Sequence, residues 1–158
     1  MTYLALDVGE RRVGMALSQT GTLATPWEVL VRSSKAEDFR RMARLIREQG
    51  VDVVVVGHPL NDDGSAGPQA RRIERYAEAL VEALEQAGLD VDVVLWDERM
   101  STLRAQEAMI EGGRSARTRR QRIDAAAAAV ILQDYLDTQA ASGPGPGRAA
   151  LDPEEEIS

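Results

Sequence analysis

Three acidic residues, Asp7, Glu98 and Asp124, are spaced so that their carboxylates could act together on one substrate. Asp7 lies within a predicted apolar strand, where a carboxylate is costly to desolvate unless it is paired, hydrogen-bonded or bound to a cation. Glu98 ends the last predicted strand, and Asp124 lies in the first turns of the final predicted helix. Hard oxygen ligands without histidine or cysteine favour Mg²⁺ or Mn²⁺ over zinc. Two such ions can clamp the attacking and leaving oxygens of a phosphodiester, so the three acids favour a hydrolytic metal site.

A simpler interpretation of these acids stays open at this point. Asp7 could lie on an edge strand and face water, as most aspartates do. Each acid alone therefore says little, and the hypothesis depends on whether the fold brings all three to one place.

Residues 3–18 predict two strands joined by a tight turn. Side chains alternate between the two faces of a strand, so Asp7 lies on the face opposite Leu6 and Val8. The second strand has small residues on one face, which we expect to leave room for a ligand: Gly14, Ala16 and Ser18.

The rest of the chain predicts alternating helices and strands. A third strand ends at Val31, and Ser34 and Gly50 have the positions of helix caps. The elements that follow are a buried strand at 51–57, a polar loop at 58–67, a helix from Pro68 to Gly88, a strand at 91–96, a helix after Ser101 or Thr102, and a helix at 118–137. This order predicts an α/β fold with a mixed sheet, antiparallel in its first half and parallel later. Ligands in such sheets bind at the carboxyl ends of the strands.

The composition suits one domain. The chain has 158 residues, of which 44% are hydrophobic, and we predict a domain at 1–139 followed by a disordered acidic tail at 140–158. There is no cysteine, which is compatible with a reducing compartment. The longest uniformly apolar run is Val53–Val56, so we expect no contact with a membrane and a cytoplasmic location.

Arginines supply the predicted contacts with substrate phosphates. The net charge of −7 argues against a general nucleic-acid coat, so phosphates must meet local basic clusters. The candidates near the acids are Arg11, Arg12, Arg99, Arg114, Arg117, Arg119, Arg120 and Arg122. A flexible solvated loop is the alternative interpretation of residues 114–122.

Four segments resemble motifs of the YqgF/RuvX family, whose members are Holliday-junction-resolvase-like nucleases with a proposed role at the 5′ end of pre-16S rRNA. In chain order they are LALDVGERRVGMALS, GHPLNDDGSAG, DERMST and IDAAAAAVILQDYL. The resemblance covers Tyr3 to about Asp137. It implies a ribonuclease-H-like fold, a five-stranded mixed sheet flanked by helices, and a catalytic, metal-binding role for Asp7, Glu98 and Asp124.

The resemblance also implies a substrate. We expect a two-metal nuclease that uses Mg²⁺ or Mn²⁺ on structured nucleic acid, above all RNA in 5′-end processing of pre-16S rRNA. Branched DNA is the alternative, ribosomal particles are candidate partners, and the chain is expected to be a monomer or homodimer. Further expected substrate contacts within the motifs are Asn61, Ser65, Ser101 and Thr102.

Three positions depart from the pattern of the family or of related resolvases, and none of them is one of the three acids. Gln19 stands where family members commonly have aspartate. Related resolvases carry an acid or a histidine one helical turn before the last aspartate, and Gln121 there weakens the case for a second ion. His58 stands where leucine is common. It could act as a general base or ligand, although a lone histidine in a loop is more often incidental.

Two further functions stay open. A ribosome- or nucleic-acid-associated factor could keep the fold without turnover, and intact acids favour the enzyme over it. The hairpin also occurs in sugar-kinase and actin-like ATPases, but those proteins need a second domain of comparable size, for which 158 residues leave no space.

Overall fold

The computed structural model describes residues 1–98 and 116–142, with side chains described for 1–98 and 124–141. The helix predicted after Ser101 and the segment from 143 onward lie outside these ranges. So do four predicted substrate contacts, which are Arg99, Ser101, Thr102 and Arg114.

Five strands form one mixed sheet, as predicted. They are β1 (Tyr3–Val8), β2 (Arg12–Ser18), β3 (Thr25–Val31), β4 (Val53–His58) and β5 (Asp92–Asp97). Their order across the sheet is β3-β2-β1-β4-β5. β2 is antiparallel to both β1 and β3, whereas β1, β4 and β5 run parallel. The carboxyl ends of β1, β4 and β5 therefore lie along one edge, which we call the carboxyl edge.

Three described helices flank the sheet: α1 (Lys35–Gln49), α2 (Pro68–Gln86) and α3 (Ala116–Ser142). The predicted caps of α1 are confirmed, because Ser34 Oγ accepts from the Glu37 N–H at 3.1 Å and Gly50 has φ 65°. α3 is longer than predicted at both ends. Residues 140–142 are helical rather than part of a tail, and residues 117–122 lie on the helix, so the alternative interpretation of this part of the basic segment as a loop is wrong.

The sheet has two differently covered faces. On the helix-pair face, α1 and α2 cover one core cluster, which includes Leu6 and Met15 of the strands. On the α3 face, the single helix α3 covers a second cluster, which includes Ala5 and Ala16. The alternation predicted for β1 and β2 is therefore confirmed. None of the described helices is long and apolar enough to cross a membrane.

The small residues of β2 do not leave room for a ligand. A Cβ atom at Gly14 would collide with the backbone carbonyl of Asp124, so α3 itself takes that space. The alanines of α3 that face the sheet, Ala125, Ala127 and Ala128, are buried as well. Small side chains on both partners let the first described turns of α3 approach the hairpin, and this approach places Asp124 beside β1 and β2.

Candidate active site

Asp7 lies at the carboxyl edge, on the α3 face of β1. Its position in β1 is opposite Gly14 in β2, so there is no side chain beside it on that neighbour. Burial raises the pKa of Asp7 to about 6, and the nearby charge of Asp124 adds to the increase. A carboxyl with such a pKa holds its proton more readily than usual, or binds a cation in its place.

Glu98 follows β5 directly and lies on the same face. Its backbone N–H donates to the carbonyl of His58 at 3.3 Å, which ties it to the end of β4. Its carboxylate lies over Gly57, where a Cβ atom would collide with it. Burial raises the pKa of Glu98 to about 7, with the charges of Asp7 and Asp97 adding to the effect.

One carboxylate oxygen of Glu98 has no hydrogen-bond partner in the described part of the chain. Oε2 is buried and has no hydrogen bond to any group in the described parts of the chain. An unpaired buried carboxylate oxygen costs several kcal/mol relative to one that is hydrogen-bonded or coordinated. This oxygen is therefore suited to a ligand that brings positive charge.

Asp124 completes the group at the N-terminal part of α3. It lies at the border of the buried face of that helix, as predicted, with its side chain 26% exposed. The Arg12 Nε–H donates to its Oδ2 at 3.0 Å. Arg12, which was predicted to contact substrate, thus pairs with one of the predicted metal ligands in this structure.

The donor set fits a hard divalent cation in part. Asp7 and Glu98 supply two half-buried carboxylates at one edge of the sheet, and the Oε2 atom of Glu98 is buried without a partner among the described residues. Oxygen-only ligands of this kind suit Mg²⁺ or Mn²⁺. Within residues 1–98 and 124–141, however, no three histidine, aspartate or glutamate side chains are grouped closely enough to hold an ion. The third acid is instead paired with Arg12.

The loop after β4 holds two of the predicted contacts in a turn of its own. Asn61 donates through Nδ2 to Ser65 Oγ at 3.0 Å, and Ser65 donates to Asp63 Oδ1 at 2.6 Å. Their side chains therefore support the loop conformation first. Arg11 is exposed in the β1–β2 turn. The other predicted contacts on described backbone precede Asp124 in α3: Arg117, Arg119, Arg120 and Arg122.

His58 does not join the acids. It is the last residue of β4, one position past Gly57, so its side chain lies on the helix-pair face. Its Nε2 lies 2.8 Å from Glu74 Oε2 on α2. The suggestion that His58 is a base or metal ligand is therefore not supported by its position, and the alternation of β4 could have shown this from the sequence.

Two glycines were missed as determinants of the site. Gly14 admits the backbone of α3, and Gly57 admits the Glu98 carboxylate and the side chain of Ile131. A glycine inside a strand often marks a place where a ligand or another part of the backbone approaches closely. This was the signal that the sequence offered.

Comparison with other proteins places this chain in a family. Residues 1–138 match the RuvX family, which is described as Holliday junction resolvase. This chain belongs to the RuvX family. A relative from Thermoanaerobacter pseudethanolicus, provisionally named a pre-16S rRNA nuclease, is 40% identical over 141 residues, which are 88% of this chain and 98% of the relative. A relative from Anaeromyxobacter sp. with the same provisional name is 46% identical over 138 residues, which are 87% and 97% of the two chains.

Solved structures resemble this RuvX chain in fold. Thermus thermophilus RuvC aligns with a TM-score of 0.53 at 16% identity, over 87% of this chain and 98% of RuvC. Fowlpox virus resolvase, solved with Holliday junction DNA, aligns with a TM-score of 0.54 at 11% identity, over 87% and 98%. At such identities the likeness concerns the fold alone. The predicted ribonuclease-H-like fold is confirmed.

Proposed function

We propose that this RuvX chain is a metal-dependent nuclease that hydrolyses phosphodiester bonds of structured RNA, in 5′-end processing of pre-16S rRNA. One observation carries the proposal: the Oε2 atom of Glu98, buried without a partner among the described residues, lies on the same sheet face as half-buried Asp7. The provisional name shared by relatives at about 40% identity supports the choice of RNA.

In this proposal Asp7, Glu98 and Asp124 are the catalytic residues and the ligands of Mg²⁺ or Mn²⁺. Two bound ions would stabilise charge on the scissile phosphate and make a bound water more acidic. The chain itself partly shields Asp7 and Glu98 from water, which strengthens their attraction for cations. Arg12 neutralises Asp124 at 3.0 Å until a substrate phosphate competes for the guanidinium.

Basic residues around the acids would hold the polyanion against them. Arg11 and Arg12 lie in and directly after the β1–β2 turn, and α3 carries four arginines in the turns before Asp124. Phosphate contacts of this kind set position and orientation without reading sequence. We propose Asn61, Ser65, Arg99, Ser101, Thr102 and Arg114 as further substrate contacts, with a cytoplasmic location and ribosomal precursors as partners.

Resolution of branched DNA is the second candidate. The family description and the fold likeness to RuvC and fowlpox virus resolvase favour it. A symmetric DNA junction presents two equivalent strands, so this activity requires a homodimer with two sites related by a two-fold axis.

A cleavage panel tests the proposal. The purified chain is incubated with a pre-16S rRNA leader, an unstructured RNA and a four-way DNA junction, each with Mg²⁺, Mn²⁺ or EDTA. We expect metal-dependent cleavage of the leader, faster than of the other two. Preferred cutting of the junction would establish the resolvase instead, and no turnover on any substrate would favour a non-catalytic factor.

A further inference from the structure

A cavity of about 790 Å³ lies on the helix-pair face, on the other side of the β1–β2 turn from Asp7. Three segments line it: the turn itself, the connection from β3 to α1, and the first turns of α2. Val8, which contributes to its wall, directly follows Asp7 and points to the opposite face. The cavity and the acids are thus separated only by the carboxyl edge of β1.

The lining of this cavity is positively charged. Among the described residues, the lining contains five cationic side chains and one acid, Glu10; the cations are Arg11, Arg32, Lys35, Arg72 and Arg75. None of the five cations forms a salt bridge with a carboxylate in the described part of the chain. In a chain with net charge −7, an uncompensated group of this size attracts anions locally.

Arg32 and Tyr76 give the cavity a fixed wall. Arg32 donates from Nη1 to the Gly9 carbonyl at 2.7 Å, which fastens the β1–β2 turn to the end of β3. The guanidinium of Arg32 also lies 5.4 Å from the centroid of the Tyr76 ring on α2. The turn, β3 and α2 therefore hold one arrangement before any ligand arrives.

Tyr76 supplies a second observation. Only 4% of this residue is exposed, and its hydroxyl is buried without a hydrogen-bond partner among the described residues. Leaving a buried hydroxyl unpaired costs about 1–3 kcal/mol, so such a group is normally paired by protein, water or ligand. The hydroxyl is closed off from solvent, so a bound phosphate becomes its acceptor only with a small movement of the cavity wall around Tyr76.

We propose that this basic cleft binds the phosphates of the single RNA strand that leads away from the scissile bond on the α3 face. The proposal rests on the proposed function and extends it to the flanking strand. Because Arg32 covers the one aromatic ring in the lining, bases have no open stacking platform there. The cleft contacts the sugar-phosphate backbone and is indifferent to sequence.

The test measures binding of a single-stranded RNA of about 20 nucleotides in EDTA, so that cleavage plays no part. The variant is Arg72→Gln/Arg75→Gln, whose two arginines are exposed on α2. The control is Arg41→Gln/Arg44→Gln on α1, which has the same charge change at exposed positions outside the lining. We expect roughly 5- to 20-fold weaker binding for the first pair, and a salt slope smaller by about 1.4. Binding of single-stranded DNA of the same sequence should weaken by the same factor in this variant, because the contacts are to phosphate.

Equal losses in the two double variants would overturn the proposal, because total charge would then explain binding. Tyr76→Phe adds a test of the hydroxyl: binding should weaken about 2- to 10-fold, with Tm unchanged or raised. A lower Tm with unchanged binding would assign the hydroxyl a structural role and contradict the proposal. Since the assay contains no turnover, a selective loss of binding supports the cleft even if the cleavage panel shows no nuclease.

Discussion

At the carboxyl edge of β1, the two faces of the sheet carry side chains of opposite charge. On the α3 face, Asp7 and Glu98 are half-buried and desolvation raises their pKa values. On the helix-pair face, cations such as Arg72 and Arg75 are exposed around an open cavity. Burial suits carboxylates that take up a small desolvated cation, whereas exposure suits arginines that must meet a large, hydrated polyanion. The difference assigns the chemical step to one face and strand binding to the other.

The two faces also differ in how closely their helices pack on the sheet. α3 approaches the sheet through alanines and Gly14, and this contact leaves no space between helix and strand. α1 and α2 pack through large side chains such as Phe39 and Leu80, and a cavity remains beside the β1–β2 turn. Small residues therefore let α3 pack closely on the sheet. The cavity lies on the other face, where the packed side chains are larger.

Glu98→Gln is expected to have the largest effect on the α3 face. The amide keeps the shape but lacks the charge, so cleavage should fall about 1,000-fold because metal binding is lost. The matched control is Asp92→Asn, at the exposed start of the same strand β5. Its cleavage should stay within about 3-fold of the wild type, since surface charges act weakly. Similar losses in both variants would mean that cleavage depends on total negative charge rather than on a ligand at Glu98.

Gly14→Ala tests whether close packing positions the acids. The added Cβ would collide with the backbone of Asp124, so α3 must shift. We expect the free energy of unfolding to fall by about 2–4 kcal/mol, with cleavage reduced as well. Gly67→Ala is the control, because a Cβ there meets only ordinary contacts with Asn61 and should cost less than about 1 kcal/mol. Denaturant unfolding of both variants is the measurement, and equal stability of the two would refute the packing argument.

The raised pKa values predict an unusual pH dependence of stability in the metal-free protein. Asp7 and Glu98 hold protons in the folded state up to about pH 6 and about pH 7, but in the unfolded chain only to about pH 4. Their contribution to stability is therefore complete below about pH 4 and is lost as the pH rises through 6 to 7. Because of these two groups, the free energy of unfolding of the metal-free protein should fall by about 2–4 kcal/mol between pH 5 and pH 8.

Thermal melting with EDTA or Mn²⁺ measures this effect. Mn²⁺ should stabilise the protein more at pH 8 than at pH 5, because ions and protons compete for the same oxygens. In the double variant Asp7→Asn/Glu98→Gln, the pH slope assigned to these groups should disappear. An unchanged slope in that variant would place the titration elsewhere.

Local patterns in the sequence were enough to predict most of the fold. The caps Ser34 and Gly50, the start of α2 at Pro68 and the alternation of β1 all describe short stretches, and all are confirmed. The ends of α3 were less predictable, since its arginine-rich start and alanine-rich end lack the apolar periodicity that marks a boundary. Small residues in β2 were misinterpreted because a glycine can admit either a ligand or a helix.

The site was predictable only where it follows the order of the strands. Asp7 lies one residue before the end of β1 and Glu98 directly follows β5, and both strands end at the carboxyl edge with β4 between them. The rule that ligands bind at the carboxyl ends of parallel strands identifies this edge. The pairing of Arg12 with Asp124 joins residues far apart in the chain, and no pattern in either segment indicates it. The basic cleft draws on three separate segments, of which only Arg11 was a predicted contact. The other residues of the cleft come together only in the folded chain, so no local pattern indicates them.

Asp7→Asn separates the chemical step from folding, because an asparagine keeps the shape of the side chain but removes its charge. The measurement is cleavage of the pre-16S rRNA leader with Mn²⁺, together with the metal-free Tm, in Asp7→Asn and in the exposed control Asp90→Asn. We expect Asp7→Asn to lose cleavage while its Tm is unchanged or higher, because a costly desolvated charge is removed. The control should keep both wild-type values. Wild-type turnover by Asp7→Asn in the presence of metal would show that Asp7 is not a catalytic residue.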